Sequence, residues 1–321
     1  MSFVSHFADI LNHWQIESYS DSQTIQSDVF KITLNDGRQV ALKDLGDENE
    51  NTIQRLYFEY DVLTHVEQTG LTVAVPLIAR NGKPYINFTG RIIRLSHWLP
   101  NQPQPAHTDD ERIRLFQNYG RAIAQFHQAL ATYEDDHILE RTWQASLHSR
   151  VIDQAIPTIF VYLDDAKHTW FQNLRATIEV DMITAFANLP EQLVIWDCHP
   201  GNVARDGFEV TGFVDCNHIA IAPRIFDLSN FLVNLLKWDV NDTEKSARWL
   251  AHFDQLIVGY EQVQPLTSSE KQGLFYGLIG VTLTMIDFFF QTDRPALTEL
   301  EFDTVEWLVQ HRSAICDQLE M

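Results

Sequence analysis

Apolar and polar residues alternate along Val29-Phe30-Lys31-Ile32-Thr33-Leu34 and again along Gln39-Val40-Ala41-Leu42-Lys43, with Asn35-Asp36-Gly37-Arg38 between the two runs. A period of two interrupted by an Asp-Gly turn predicts a β-hairpin. From Asn51 to Gln68 the period lengthens, and Leu56, Tyr57, Tyr60, Leu63 and Val66 fall on one broad helical face. Pro76 to Ala79 and Pro84 to Leu95 read as strands on either side of Asn81-Gly82, and Ser2 to Trp14 as an amphipathic helix ahead of the sheet. The first part of the chain is therefore expected to be mostly sheet with one inserted helix.

Leu95 to Pro100, continuing to Pro105, reads as a linker rich in Pro and Gln. Beyond it the pattern is helical. Thr108-Asp109-Asp110-Glu111 is a capping-box sequence, in which the Thr hydroxyl and the Glu carboxylate satisfy each other's backbone N–H groups. Ile113, Phe116, Tyr119, Ile123 and Phe126 give the helix after it an apolar side. Thr267-Ser268-Ser269-Glu270 and Thr298-Glu299-Leu300-Glu301 repeat the signal. Gly273 to Phe290 is apolar but for Asp287; one costly charge and no following span favour a buried helix over a membrane crossing. With 321 residues the chain exceeds one ordinary core. Two lobes are expected, residues 1–95 and 96–321.

Composition narrows the partners. A hydrophobic content of 45% is that of an ordinary globular protein, and a net charge of −21 argues against nonspecific nucleic-acid binding. The same acidity favours a neutral or cationic small molecule. Cys198, Cys216 and Cys316 form neither a metal-ligand pattern nor a disulfide framework, and Ser2 to Trp14 lacks a basic-plus-apolar targeting signal. A reducing cytoplasm is the expected location, with no membrane partner. Oligomeric state leaves no signature in the sequence.

The chemistry lies in Val194-Ile195-Trp196-Asp197-Cys198-His199-Pro200-Gly201-Asn202 and in Gly212-Phe213-Val214-Asp215. Phosphoryl transfer of the kinase type needs one Asp near the acceptor hydroxyl, and an Asn and a second Asp as hard oxygen ligands for Mg²⁺ against ATP. Asp206-Gly207 predicts a short hairpin over Val203 to Val210, which would return Asn202 and Asp215 to one end of a small sheet. Upstream, Lys43 ends a strand and Glu59 lies in the next helix. A strand Lys that holds phosphates needs such a carboxylate. Cys198 and Cys216 read as small buried thiols filling tight loops, His199 as a buried, hydrogen-bonded side chain shaping its loop. Glu134-Asp135-Asp136 and Asp164-Asp165 read as solvated faces.

Taken in order, strand Lys, helix Glu, linker, Asp-x-His-x-x-Asn, hairpin and Asp resemble the aminoglycoside phosphotransferase and choline-kinase-like family. Tyr119 to His127 resembles that family's first long helix after the linker, and Ala222 to Leu228 its segment after the metal Asp, with Asp227 matching a structural Asp. The resemblance runs from about Thr24 to Leu266. It implies an α+β, two-lobed protein-kinase-like fold: a small antiparallel-sheet N-lobe with one inserted helix over a larger, mainly helical C-lobe. It implies transfer of the γ-phosphoryl group of ATP to a hydroxyl of an amino alcohol, amino acid, sugar or aminoglycoside. Asp197 becomes the catalytic base, and Asn202 and Asp215 the metal ligands. Lys43 and Glu59 position ATP, and the backbone of Leu95, Ser96, His97 and Trp98 meets the adenine.

Two departures stand out. Ile195-Trp196 replaces the family's His-Gly before the Asp, and the expected phosphate-covering loop, Tyr19 to Asp28, contains no Gly. Two alternatives therefore stay open: a protein Ser/Thr kinase of the bacterial stress-response type, and a non-catalytic ATP-binding relative.

Overall fold

The computed structural model describes residues 6–142 and 146–319. It opens with α1 (Phe7–Asn12); residues 2–5 of the expected first helix lie outside the described residues. There follow β1 (Tyr19–Gln26), β2 (Val29–Leu34), β3 (Gln39–Asp47), α2 (Glu50–Gln68), β4 (Ile86–Phe88) and β5 (Arg91–His97). The five strands form one antiparallel sheet in the order β1-β2-β3-β5-β4. Gly37, at φ +84°, makes the β2–β3 turn, a conformation that only a residue without Cβ adopts cheaply.

Asn49 caps α2 by accepting from the N–H of Thr52. The helix buries Leu56 against Tyr85 and Ile92 of the sheet lobe, and Phe58, Val62, Leu63 and Val66 in the large helical core. Because α2 is held from two sides, Phe58 and Glu59 are buried, while Tyr57, placed on the apolar face by periodicity, is exposed.

The sheet departs from expectation in three places. Pro76 to Ala79 forms no strand; Pro76 makes a single bridge to Ser96, and Leu77 donates to the Leu95 carbonyl at 2.7 Å. Pro84 to Leu95 is two strands, because Thr89 and Gly90 both adopt positive φ, with Asn87 Oδ1 accepting from the Gly90 N–H at 2.9 Å. The stretch read as a linker begins inside β5, and β6 (Gln102–Pro103) then lies parallel to β8 (Val203–Gly207).

The second lobe continues with α3 (Asp109–Ala131), α4 (Ile138–Arg141), a π-helical turn at His148–Ala155, α5 (Ile156–Tyr162), α6 (Asp165–Phe186) and β7 (Glu191–Val194). After β8 come β9 (Glu209–Phe213), β10 (Ala220–Pro223), α7 (Ile225–Leu236), α8 (Thr243–Leu250), α9 (Asp254–Glu261), α10 (Ser268–Gln291), α11 (Pro295–Gln310) and α12 (Arg312–Gln318). The Thr108 and Thr267 capping boxes form as expected at the starts of α3 and α10. The third does not: α11 starts at Pro295, whose fixed φ suits a helix start, and Thr298 donates from inside the helix to the Arg294 carbonyl. Helices α3 and α9 touch through Gly120 and Gly259; a Cβ on Gly120 would lie 1.9 Å from the Leu256 carbonyl oxygen. Helix α10 is long and apolar enough to cross a membrane, but 83% of its apolar stretch is buried inside the fold.

Candidate active site

Strand β7 delivers the chain to Asp197, and Asp227 fixes how it arrives. Asp227, in the first turn of α7, is fully buried. Its carboxylate accepts from the N–H groups of Ile195 at 2.7 Å and Trp196 at 2.8 Å, and pairs with Nε2 of buried His127 at 2.9 Å. Nδ1 of His127 meets the Tyr260 hydroxyl at 2.9 Å. These bonds hold Trp196 at φ +67°, a left-handed conformation normally left to Gly. The Gly of the family pattern is thus explained, and so is its replacement: the Trp196 indole stacks flat on Phe226, with ring centroids 3.8 Å apart. Ile195, in the place of the family's His, is packed in the core.

Asp197 leaves this scaffold with its side chain 43% exposed. Asn202 donates from Nδ2 to the Asp197 carbonyl at 3.0 Å and toward Asp197 Oδ2 at 3.4 Å. Nδ1 of His199 accepts from the Gly201 N–H at 3.1 Å, and its Nε2 lies 3.8 Å from Asp197 Oδ1. Burial holds the His199 imidazole below its ordinary pKa, although Asp197 opposes the shift. His199 is hydrogen-bonded within its loop but only part-buried, its side chain 31% exposed.

The β8–β9 hairpin turns at Gly207, with Val203 opposite Phe213, and the Val214 N–H donates to the Asn202 carbonyl at 2.9 Å. This brings Asn202 and Asp215 together at one end of the hairpin, as the turn signal implied. Asp215 is itself at φ +54°.

The Lys43 partner differs from expectation. Its Nζ lies 2.6 Å from both carboxylate oxygens of Asp215, across the lobe boundary. Glu59 instead pairs with Arg94 of β5, and the Arg94 guanidinium also reaches Asp215 Oδ1 at 3.5 Å. Burial alone would raise the Asp215 carboxyl, but Lys43 and Arg94 outweigh it and hold Asp215 below the ordinary carboxylate value. Burial also lifts the Glu59 carboxyl and works against the Arg94 cation, so each compensates the other. Glu59 reaches the site only through Arg94, and so does not touch Lys43 as expected. Arg94 was not singled out from sequence. Its signal was a lone cation inside the apolar run Ile92-Ile93-Arg94-Leu95.

Lys43, Arg94, Asn202 and Asp215 line one cleft of about 260 Å³, together with Ala41, Ser96, His97, Trp98, Leu99 and Val203. Of the four residues expected near the adenine, Ser96, His97 and Trp98 line this cleft and Leu95 does not. Its side chain is buried in the sheet core and its carbonyl is taken by Leu77, because alternation along β5 turns it away from the cleft. Ile25, Gln26 and Val29 cover the cleft from the β1–β2 hairpin. The Gly-free segment is therefore strand closed by the tight turn Ser27-Asp28, not an open loop. Cys198 and Cys216 are buried, and burial pushes both thiols well above their ordinary value, as loop fillers require. Asp164 caps α6 by accepting from the Lys167 N–H.

The donor set fits a metal held jointly with a ligand. Asn202 spends its N–H groups on Asp197, which leaves Oδ1 as an acceptor, and Asp215 is held ionised. Among the described residues, no cluster of three or more His, Cys, Asp or Glu could hold a metal ion. Two protein oxygens plus phosphate oxygens is the arrangement Mg²⁺ commonly takes.

The sequence matches the model of the phosphotransferase enzyme family over residues 22–266. The chain belongs to that family. No curated protein matches it in sequence. Among solved structures, the fold is shared with a microcompartment-associated aminopropanol kinase (TM-score 0.70, 12% identity, covering 98% of each chain). It is shared with the amicoumacin kinase hAmiN (TM-score 0.67, 19% identity, covering 94% of this chain and 92% of that one). A third is an aminoglycoside phosphotransferase from Alicyclobacillus acidocaldarius (TM-score 0.62, 15% identity, covering 97% and 94%). The two-lobed kinase-like architecture read from the sequence is thus the architecture of the family, and the chain is a phosphotransferase.

Proposed function

We propose that this phosphotransferase moves the γ-phosphoryl group of ATP, with Mg²⁺, to a hydroxyl of a small molecule: an amino alcohol, amino acid, sugar or aminoglycoside. The observation that carries the reading is the convergence of Lys43, Asn202 and Asp215 on one cleft between the lobes, with Asp197 hydrogen-bonded to Asn202. Lys43 holds phosphate oxygens. Asn202 and Asp215 hold the metal, which when bound offsets phosphate charge. Asp197, exposed and acceptor-only when ionised, orients the attacking hydroxyl and takes its proton. Solved structures support the choice of ligands: the amicoumacin kinase was solved in complex with AMP-PNP and Ca²⁺, and the aminopropanol kinase is named for an amino alcohol. With a net charge of −21, a cationic acceptor is favoured. The work belongs in the cytoplasm, where ATP is supplied and the three free cysteines stay reduced.

An ATP-consumption screen over amino alcohols, amino acids, sugars, aminoglycosides and a protein substrate, with and without Mg²⁺, tests this. Metal-dependent turnover on a small molecule is expected. Turnover on the protein substrate alone would support a protein kinase. No turnover, together with no nucleotide-induced rise in thermal midpoint, would leave a relic of the family.

A further inference from the structure

We propose that Arg94 is a positioning residue of the transfer site: it takes Glu59 in place of Lys43 and braces Asp215, leaving Lys43 a single carboxylate partner. The inference rests on the transfer reading above and adds a residue to it. In the β3–β5 ladder, Arg94 stands directly opposite Lys43. Opposite residues of a strand pair share one face of the sheet, so two cations are forced together at the back of the cleft. The structure puts one carboxylate, Asp215, between them and a second, Glu59, on the far side of Arg94, in the order Glu59, Arg94, Asp215, Lys43. The guanidinium fork serves the two carboxylates through separate nitrogens, Nη1 to Glu59 and Nη2 to Asp215; an ammonium has a single nitrogen and would have to share it. Arg94 is 5% exposed and Glu59 is 3% exposed, so this end of the chain is shielded from solvent. Lys43 and Asp215 lie at the wetter end, in the cleft.

A buried Arg–Glu pair alone is weak evidence of anything but packing. The second reach, to Asp215, distinguishes this one. Asp215 is the proposed metal ligand, and partners behind a metal ligand set its orientation. With Glu59 satisfied by Arg94, Lys43 has no competing carboxylate when it turns from Asp215 toward phosphate. The arrangement also ties α2, which carries Glu59, to the end of the β8–β9 hairpin, so the two lobes meet through Arg94.

Two variants separate positioning from scaffolding. Arg94→Lys keeps the charge and the reach to Glu59 but loses the fork. Arg94→Met with Glu59→Gln removes the buried cation and anion together, a change such pairs often tolerate. ATP binding is followed by calorimetry over a series of Mg²⁺ concentrations, beside kcat and KM. For both variants, the Mg²⁺ needed for half-maximal tightening and the loss in kcat should each change by about 10–100-fold, the usual effect of removing a partner behind a metal ligand. ATP affinity without metal should stay near wild type, since Lys43 remains. A wild-type Mg²⁺ response and kcat in either variant overturns the proposal and leaves the transfer reading intact. Tighter Mg²⁺ binding overturns it too, by showing that Arg94 is only a competing charge. If neither variant folds, the pair is scaffold and the proposal falls. Wild-type protein that binds no nucleotide removes both readings.

Discussion

The two halves of the cleft are held in different ways. On the C-lobe side, the chain before Asp197 is clamped by a fully buried carboxylate, Asp227, bonded to two backbone N–H groups and to His127. On the N-lobe side, Lys43 is held by Asp215 across the lobe boundary, and that pair is partly open to solvent. One half is preorganised, with its bonds complete inside one lobe. The other is a pairing between lobes, which under the proposed function ligand phosphates would replace. Catalysis by positioning needs the first, and ligand entry needs the second.

Substitutions can break this contrast. The largest effect should come from Asp197→Asn, which keeps the shape and removes the proton acceptor. A loss in kcat of about 10²–10⁴-fold is expected, typical of a lost general base. The ATP–Mg²⁺ shift in a melting curve should survive, because the clamp behind residue 197 is untouched. A folded, ATP-binding variant with near-normal turnover would exclude Asp197 as the base.

Next is Asp227→Ala, which strands two backbone donors and His127 in the core. It should destabilise the fold by about 3–5 kcal/mol, the usual result of breaking a buried charged network, readable by urea denaturation. An unchanged midpoint would mean that the loop is held by something other than Asp227.

Lys43→Ala probes the movable half. The free protein should melt almost as wild type does, since a part-exposed ion pair adds little. ATP–Mg²⁺ should raise wild-type stability by about 2.7 kcal/mol at a hundredfold excess over Kd. That gain should shrink markedly in the variant; an equal gain would remove Lys43 from the phosphate site.

The smallest effect is one of pH. Burial holds His199 and His218 below the ordinary 6.5. A base with a lowered folded pKa binds its proton less well when folded, so this contribution is fully present above pH 6.5 and is lost as pH falls toward the folded values. Burial is the largest cause for His199, and protonating it would also end Nδ1's role as acceptor for the Gly201 N–H. Asp215, held below 3.8, contributes stability above that value and loses it only in stronger acid. The catalytic loop should therefore weaken first, with the thermal midpoint falling from about pH 7 to about pH 5, the range in which His titrates. His199→Gln should flatten that fall, and a flat wild-type profile would contradict it.

Much of this was legible because the signals are local. The Asp36-Gly37 and Asp206-Gly207 turns fix their hairpins within a few residues, and the Thr108 and Thr267 boxes fix two helix starts. The β4–β5 hairpin at Thr89-Gly90 was not legible, because a Thr at positive φ carries no composition signal. The Thr298 cap failed because Pro295 begins the same helix earlier. In the site, Asp197, Asn202 and Asp215 lie near one another in sequence, and a hairpin suffices to join them. Glu59, Arg94 and Lys43 come from a helix and two strands, and their pairing depended on how α2 packs.

The sequence by itself determined two of the hairpins, the helix α2, two capped helix starts and the family pattern, because turns, caps and periodicity act over a few residues. Only the tertiary structure decided which carboxylate each cation takes. Arg94 and Lys43 are equivalent cations to any reading of spacing. Register in the β3–β5 ladder sets them side by side, burial gives the fork of Arg94 to Glu59, and the remaining carboxylate, Asp215, falls to Lys43. Charge pairing is settled by geometry over a few ångströms between distant segments, and that information exists only once the chain has packed.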